Sequence, residues 1–245
     1  MIIFDIITIF PNIFESYFNT SILKRAQAKG LIKIKIHDLR HWATGKHRSV
    51  DDRPYGGGPG MVMRADVIYR ALQKIASTGS KIKTKIVLLS ADGQQFDQKM
   101  AYRLAKIKRF IFICGRYEGV DARVEKMVDE KISIGPYVLT GGELPVMTIV
   151  DAVSRLIPGV IRSESLKEET FSMEIPRQTR DARFSSPARS REKIGEYPQY
   201  TRPEVLKIKS KGTTIKTWRV PEVLLSGNHQ KIQVWRNRAM KHKSH

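Results

Sequence analysis

Apolar residues in the first 160 positions follow two different periods, one typical of strands and the other of helices. Nearly unbroken apolar runs predict strands covered on both faces, as in a parallel sheet, and a run alternating with lysine predicts a strand with one wet face. The predicted strands lie at residues 2–10, 31–36, 86–89 and 109–114. The predicted helices lie at residues 21–28, 66–76, 96–104 and 146–157. This alternation predicts an α/β layer with a mainly parallel sheet over residues 1–161.

Two loops interrupt this pattern with polar residues and glycines. Residues 38–60 show no periodicity, and they contain charged side chains and the run YGGGPG. Loops of this length inside a compact domain are usually functional or disordered, and a solvated, flexible loop is the alternative here. The second loop, GRYEGVDARV, begins at Gly115, at the carboxyl end of a predicted strand. Open α/β sheets bind ligands at that end of their strands, so we expect a site there.

The stretch from Ser133 to Pro145, SIGPYVLTGGELP, places an apolar segment directly beside two consecutive glycines. Ile134, Val138 and Leu139 can wall a flat apolar ligand such as an adenine ring. The glycines allow close approach of the main chain and dihedral angles that other residues avoid. A tight turn between a buried strand and a helix is the alternative interpretation.

Other candidate groups have a plainer structural interpretation. Asp151 and Arg155 lie four residues apart on the exposed face of the helix that follows, where an ordinary surface ion pair is the simplest interpretation. Cys114 ends an apolar strand, and a free cysteine there behaves as a small buried hydrophobe rather than a nucleophile. The six histidines do not have the spacing of metal ligands, so no metal site is predicted.

The chain carries a formal net charge of +20, from 44 Lys and Arg against 24 Asp and Glu. This balance indicates a polyanionic partner, with nucleic acid as the leading candidate. Charge density roughly doubles after residue 161, and residues 176–193 are arginine-rich and nearly devoid of large apolar residues. We therefore expect a basic flexible linker over residues 162–196. Residues 197–245 then form a small basic, mostly helical C-terminal domain, with a helix capped at Asn228.

Membrane and secretory signals are missing from the sequence pattern. No apolar run approaches the roughly 20 residues of a membrane-spanning helix, and the first ten residues, MIIFDIITIF, lack the positive leader of a signal peptide. The single cysteine excludes an internal disulfide and fits a reducing compartment. We expect a cytoplasmic protein that does not associate with membranes.

Six stretches spread along the chain carry a resemblance. They are HRSVDDRPYGGGPGMVM (47–63), FICGRYEGVDARV (112–124), SIGPYVLTGGELP (133–145), SRLIPGV (154–160), YTRPEVL (200–206) and VPEVLLSGNH (220–229). Together they resemble the bacterial tRNA (guanine-N1-)-methyltransferases of the SPOUT class. The resemblance implies a SPOUT-like α/β fold whose sheet is tied into a deep trefoil knot, which periodicity alone does not reveal. It also implies S-adenosyl-L-methionine bound in the knot loops, and a homodimer with each active site shared between subunits.

The implied reaction transfers a methyl group from S-adenosyl-L-methionine to N1 of guanine 37, immediately 3′ of the anticodon in certain tRNAs. Guanine N1 carries a hydrogen, so the enzyme needs a base beside it and a cation near O6, where negative charge develops. By resemblance the base is Glu169 and the cation is Arg155. The cofactor-binding residues implied in the same way are Ser90, Gly115, Tyr117, Glu118, Ile134, Gly135, Pro136, Tyr137, Val138, Leu139, Gly141, Gly142 and Pro145.

The chain departs from the family pattern at two of these positions. Glu169 stands where the family typically has aspartate, next to a second acid, Glu168. Pro136 stands where the family usually carries an acid, and proline removes a backbone donor and fixes φ at about −65°. The link before YTRPEVL is also longer than usual. An alternative from another class is a non-catalytic, ribosome-associated RNA-binding protein, which the charge and the linker fit equally well.

Overall fold

The structure, a computed structural model, describes residues 1–78, 82–167, 197–209 and 215–241. Its strands are β1 (Ile2–Thr8), β2 (Ile32–Asp38), β3 (Asp51–Asp52), β4 (Val62–Met63), β5 (Thr84–Gln95), β6 (Arg109–Cys114), β7 (Glu130–Ser133), β8 (Val205–Lys209) and β9 (Ile215–Arg219). Its α-helices are α1 (Glu15–Phe18), α2 (Ser21–Ala28), α3 (Ala65–Ser77), α4 (Gln98–Leu104), α5 (Glu143–Arg155), α6 (Ser163–Lys167), α7 (Glu222–Leu225) and α8 (His229–Lys241). Short 3-10 helices cover Pro11–Phe14, Leu39–Trp42 and Ala122–Met127. In the ranges described, no helix has the length and apolar character needed to cross a membrane.

Five strands form one parallel sheet in the order β2-β1-β6-β5-β7. Along β6, Phe110 and Phe112 pack into an apolar cluster that includes α5, whereas Ile111 and Ile113 pack into a second cluster that includes α3. The sheet is therefore covered by helices on both faces, and all six residues of β6 are buried. This explains the unbroken apolar run in the sequence. The predicted α/β layer with a mainly parallel sheet is confirmed.

Element boundaries agree with the sequence pattern where that pattern is regular. Helix α2 and strand β6 occupy the predicted ranges. Strand β5 runs well beyond the predicted residues 86–89, because a register irregularity between Leu89 and Gln94 lets its polar end pair again with β7. Helix α5 begins at Glu143, directly after Gly142, and so includes the last residues of the SIGPYVLTGGELP stretch.

The C-terminal residues contain a hairpin that the sequence pattern does not predict. Strands β8 and β9 pair antiparallel, and Leu206 and Ile208 join the apolar cluster that includes α3. The capped helix is confirmed, since Oδ1 of Asn228 accepts a hydrogen bond from the amide of Lys231 at 3.1 Å. The expectation of a mostly helical domain is incomplete, because the five residues VLKIK are too few for periodicity to identify a strand.

A buried ion pair joins the C-terminal residues to the sheet domain. Arg123 and Asp121 have side chains that are 1% and 0% exposed, and Nη2 lies 2.7 Å from Oδ2. Arg123 also donates to the carbonyl oxygens of Thr201 and Pro203, and Asp121 accepts a hydrogen bond from the amide of Thr201 at 2.7 Å. Residues 197–204 are thereby held against the loop that follows β6.

Candidate active site

Two loops meet at the carboxyl ends of β6 and β7. The first follows β6 at Gly115, and the second follows β7 and ends at Gly142, whose amide donates to the carbonyl oxygen of Gly115 at 2.9 Å. Arg116 and Gly141 add a second bridge between the loops. A Cβ atom at Gly142 would lie 2.7 Å from Cα of Cys114, so only glycine allows this approach. The two glycine motifs singled out in the sequence therefore adjoin in the structure.

A buried carboxylate fixes the junction of the two loops. Glu143, the first residue of α5, is 1% exposed; its Oε1 accepts a hydrogen bond from the Thr8 hydroxyl and its Oε2 from Nε of Arg116, both at 2.8 Å. Arg116 also donates to the carbonyl oxygen of Thr140 at 3.3 Å, and its guanidinium lies 4.7 Å from the ring centroid of Phe10. One carboxylate therefore joins β1, the loop after β6 and the start of α5.

The loop after β7 is tightly folded; Ile134 packs against the apolar cluster that includes α5, whereas the apolar side chains of Tyr137, Val138 and Leu139 face outward. The Ser133 hydroxyl donates to the carbonyl oxygen of Gly135 at 2.9 Å, and the Tyr137 amide donates to the same oxygen at 2.9 Å. Tyr137, Val138 and Leu139 are nevertheless 53%, 80% and 38% exposed. Apolar side chains held outward on an ordered loop suit a surface that binds an apolar group.

The loop after β6 contains a strained residue. Tyr117 has φ of +59°, a region that bulky residues rarely occupy. The conformation is held by neighbours on both sides, since the Glu118 amide donates to the carbonyl oxygen of Met61 at 3.0 Å and the Gly119 amide to that of Arg116 at 3.1 Å. Burial and the charge of Asp51 raise the pKa of the Tyr117 hydroxyl above its ordinary value. Such strain is typical of residues placed for function.

Most of the candidate cofactor residues lie at this one edge of the sheet. Besides the two loops, Ser90 follows Leu89, which pairs with Cys114, and Pro145 is buried in the first turn of α5. An open cavity of about 540 Å³ lies beside them and is lined by Ile9, Phe10, Pro11, Asn12, Ile13 and Arg116. In the ranges described, no group of three or more His, Cys, Asp or Glu side chains could hold a metal ion.

Of the two candidate catalytic residues, Arg155 does not join this group within one chain. Arg155 is the last residue of α5, whose first residue, Glu143, touches the loops. A helix rises 1.5 Å per residue, which places the Arg155 backbone about 18 Å along the axis from the loop junction. Glu169 lies outside the described residues.

Sequence reasoning did not identify Thr8, Arg116 and Glu143 as parts of the site. Each is a common polar residue, and Thr8 and Glu143 are 135 positions apart. The one signal in the sequence was that Arg116 and Glu143 adjoin the glycines of the two motifs. Cys114 is fully buried, and burial, with a smaller effect from Glu143, raises the pKa of its thiol well above the ordinary value. This agrees with the structural interpretation of the cysteine.

Known proteins resemble this chain over most of its length. Residues 2–245 match the family described as tRNA (guanine-1)-methyltransferase TrmD. The chain is 46% identical to the tRNA (guanine-N(1)-)-methyltransferase of Dictyoglomus turgidum over 239 residues, which is 97% of this chain and 84% of that protein. It is 47% identical to the protein of the same name from Chloroflexus aggregans over 237 residues, which is 95% of this chain and 80% of that protein.

A solved structure agrees with these relatives. The crystal structure of tRNA (m1G37) methyltransferase from Aquifex aeolicus superposes with a TM-score of 0.60 and 35% sequence identity, covering 99% of this chain and 89% of the other. The two glycine loops at the carboxyl ends of β6 and β7 belong to the matched region. The chain therefore belongs to the tRNA (guanine-1)-methyltransferase family.

Proposed function

We propose that this protein transfers a methyl group from S-adenosyl-L-methionine to N1 of guanine 37, immediately 3′ of the anticodon in tRNA, in the cytoplasm. The observation that carries the proposal is the meeting of two glycine loops at the carboxyl ends of β6 and β7, in a chain of this family. The relatives named above are methyltransferases, and none of them favours a non-catalytic RNA-binding protein. Transfer of labelled methyl groups to a purified tRNA transcript is the direct test.

The residues around the loop junction fit an adenosyl group. Exposed Tyr137, Val138 and Leu139 offer apolar contacts beside the junction where the main chain of Gly142 packs on that of Gly115. When bound, S-adenosyl-L-methionine supplies a methyl group on a positively charged sulfur. We propose that the main chain of the two loops holds the adenine and ribose, and that the buried Glu143 keeps the loops at the correct separation.

The path of the chain after β7 supports the proposed trefoil knot. Strand β5 lies between β6 and β7 in the sheet, yet the chain leaving β7 returns past β5 to contact Gly115 at the end of β6. It then enters α5, which packs against the sheet in the cluster that also contains α2 and α4. The chain would be knotted if residues 90–108, which lead into β6, passed over this returning segment.

Two protein groups are proposed to act on the guanine. The Glu169 carboxylate would take the N1 proton while N1 bonds to the methyl carbon and the bond from that carbon to sulfur breaks, which leaves S-adenosyl-L-homocysteine. Arg155 would stabilise the negative charge that develops on O6. Glutamate is one methylene longer than the family's usual aspartate, so the main chain at Glu169 would sit further from the base. Both roles are carried over from the family resemblance, and neither follows from contacts of the described residues.

A homodimer would bring these groups together. Four exposed apolar side chains lie on α5 or on the segment 10–18 that contacts it: Phe10, Ile13, Tyr17 and Leu144, which are 45%, 39%, 44% and 56% exposed. Apolar patches of this kind are typical of protein interfaces. We propose that a second copy of the chain covers this patch, so that Arg155 and Glu169 of one subunit serve the loops of the other.

Complementation tests the shared site. Gly141→Val inserts a side chain against Arg116 and Glu143 and is expected to abolish cofactor binding in its own subunit, whereas Arg155→Ala leaves that binding nearly intact. Neither variant alone should be active. If the subunits exchange freely, an equal mixture should regain about one quarter of wild-type sites, because each mixed dimer holds one intact site. A mixture as inactive as its components, although mixed dimers form, would contradict the shared site.

Paired substitutions test the base. Glu169→Gln is expected to lower single-turnover methyl transfer by about 10²- to 10⁴-fold while leaving cofactor and tRNA binding nearly unchanged. Glu168→Gln is the matched control and should be mild. If Glu168→Gln loses activity and Glu169→Gln does not, the assignment moves by one residue.

The arginine-rich residues 176–193 are proposed to bind tRNA through its phosphates. These residues lie outside the described ranges, so the proposal rests on composition alone. Combined replacement of Arg180, Arg183 and Arg189 by alanine should weaken the binding of all tRNAs alike. The salt slope of binding should fall by about 0.7 to 0.9 for each phosphate that these arginines neutralise. An unchanged slope would exclude this segment as a binding element.

A further inference from the structure

The glycine-rich loop at residues 55–60 is held by the last helix described in the chain. Nη2 of Arg236, on α8, donates to the carbonyl oxygens of Gly56, at 3.2 Å, and Gly57. The guanidinium also lies 4.7 Å from the ring centroid of Tyr197. Arginine suits this position because its planar fork can stack on a ring and donate in-plane at the same time. One side chain thus joins the loop, the segment 197–204 and α8.

The loop needs such an external restraint. Gly56, Gly57 and Gly58 have φ values of +82°, +72° and +128°, and glycines can take many other conformations at little cost. A Cβ atom at Gly56 would lie 3.1 Å from Leu224 and 3.3 Å from Ile232. The loop backbone therefore packs directly on the apolar cluster formed by Val220, Leu224 and Ile232. Part of the support for the loop's conformation therefore comes from residues that follow it by more than 160 positions.

The other end of the same loop leads into the candidate cofactor site. The main chain of Met61 and Met63 hydrogen-bonds to Glu118, Gly119 and Asp121, each at 3.0 Å. These bonds directly follow Tyr117, whose positive φ persists only if its surroundings hold it. Residues 61–63 thus transmit the position of the glycine-rich loop to the loop after β6.

We propose that Arg236 is a positioning residue that holds the glycine-rich loop in the conformation that orders residues 116–119 for cofactor binding. The proposal rests on the assignment of S-adenosyl-L-methionine to the loops after β6 and β7. It makes cofactor affinity depend on a helix outside the sheet domain. Because coupling between sites is reciprocal, a ligand that strengthens the docking of α8 also strengthens cofactor binding by the same factor.

The test is the affinity of the RNA-free protein for S-adenosylhomocysteine, measured by calorimetry. Arg236→Gln is expected to weaken binding by about 5- to 30-fold, because two hydrogen bonds from a charged donor are removed. Arg236→Lys retains the charge and one donor, and should recover part of the affinity. Arg238→Gln removes the same charge from an exposed position of α8 and should leave affinity unchanged. Unchanged affinity in Arg236→Gln overturns the proposal.

Hydrogen exchange separates this proposal from the cofactor assignment itself. Arg236→Gln should speed exchange of the Met63 and Glu118 amides and leave the central strands protected. Faster exchange with unchanged affinity overturns the proposal, and Gly141→Val then decides independently whether the cofactor uses these loops. If Arg236→Gln unfolds α8, Tyr197→Leu provides the decision, since it removes only the ring beneath the guanidinium. Weakened binding in Tyr197→Leu supports the proposal, and wild-type binding overturns it.

Discussion

Replacing Arg123 by leucine is expected to undock residues 197–204 from the sheet domain. Arg123 faces Asp121 through two hydrogen bonds, from Nε to Oδ1 at 2.9 Å and from Nη2 to Oδ2 at 2.7 Å. Its remaining donors reach the carbonyl oxygens of Thr201 and Pro203. Leucine fills part of the volume but leaves the Asp121 carboxylate buried without a counter-charge.

The magnitude follows from this arrangement. Removing one partner of a buried ion pair costs about 3–5 kcal/mol, because the remaining charge is uncompensated. Asp121 keeps two main-chain donors, the amides of Arg123 at 2.9 Å and Thr201 at 2.7 Å, which favours the lower end of that range. The carbonyl oxygens of Thr201 and Pro203 also lose their charged donor, which raises the cost towards the upper end. We therefore expect about 3–5 kcal/mol, or at least a roughly 10²-fold larger population of the undocked state.

Native-state hydrogen exchange reports docking directly. The amides of Tyr55 and Ala122 donate to the carbonyl oxygens of Tyr200 and Gln199, at 2.8 and 2.6 Å, and both should lose protection selectively in Arg123→Leu. Arg109→Leu is the matched control, because it breaks an equally buried pair with Asp5 inside the sheet. That control should lower protection across the sheet without preference for these two amides. Unchanged protection of both amides in Arg123→Leu would refute the reasoning.

Two further predictions concern titratable groups. Burial alone would raise the pKa of Asp5, but hydrogen bonds with His37 and from Arg109 outweigh it and hold the pKa below the ordinary 3.8. The resulting stabilisation is present above the unfolded-state pKa and is lost as pH falls through the folded-state pKa. Asp5→Asn should therefore flatten the fall of the urea unfolding midpoint below about pH 4. A fall as steep as that of the wild type would contradict this prediction. Because burial raises the pKa of Cys114, iodoacetamide should not label the native protein at about pH 8, and Cys114→Ala should retain methyl transfer. Rapid native labelling would refute the burial of the thiol.

The parts of the fold that could be predicted are those whose pattern is long and regular. Strand β6 has six buried residues, and α2 buries Leu23 and Ala26 on one face; both elements were predicted within their observed bounds. The end of β5 is polar, and pairs with β7 only through a register irregularity, which depends on tertiary contacts. The hairpin of β8 and β9 is short, and its buried face becomes apparent only against the cluster that contains α3.

The candidate site divides in the same way. Glycine motifs at strand ends are readable from the sequence, because close main-chain approach demands glycine, and the structure brings those motifs together at Gly115 and Gly142. The carboxylate that joins them could not be predicted, since Glu143 meets Thr8 across 135 positions. The contact that restrains the glycine-rich loop could not be predicted either, because Arg236, which donates to its carbonyl oxygens, lies far along the chain in α8.

The length of α5 limits what one chain can do alone. Methyl transfer requires the methyl carbon, N1 and O6 of the guanine to lie within a few ångström of one another, yet Arg155 begins about 18 Å along the helix from the loops proposed to hold the cofactor. Arg116 is nearer, but its guanidinium already faces the buried Glu143 carboxylate, which offsets its charge. This separation is the reason for proposing that Arg155 of a second subunit supplies the cation for O6. Recovery of activity in the mixture of Gly141→Val and Arg155→Ala subunits would support that proposal.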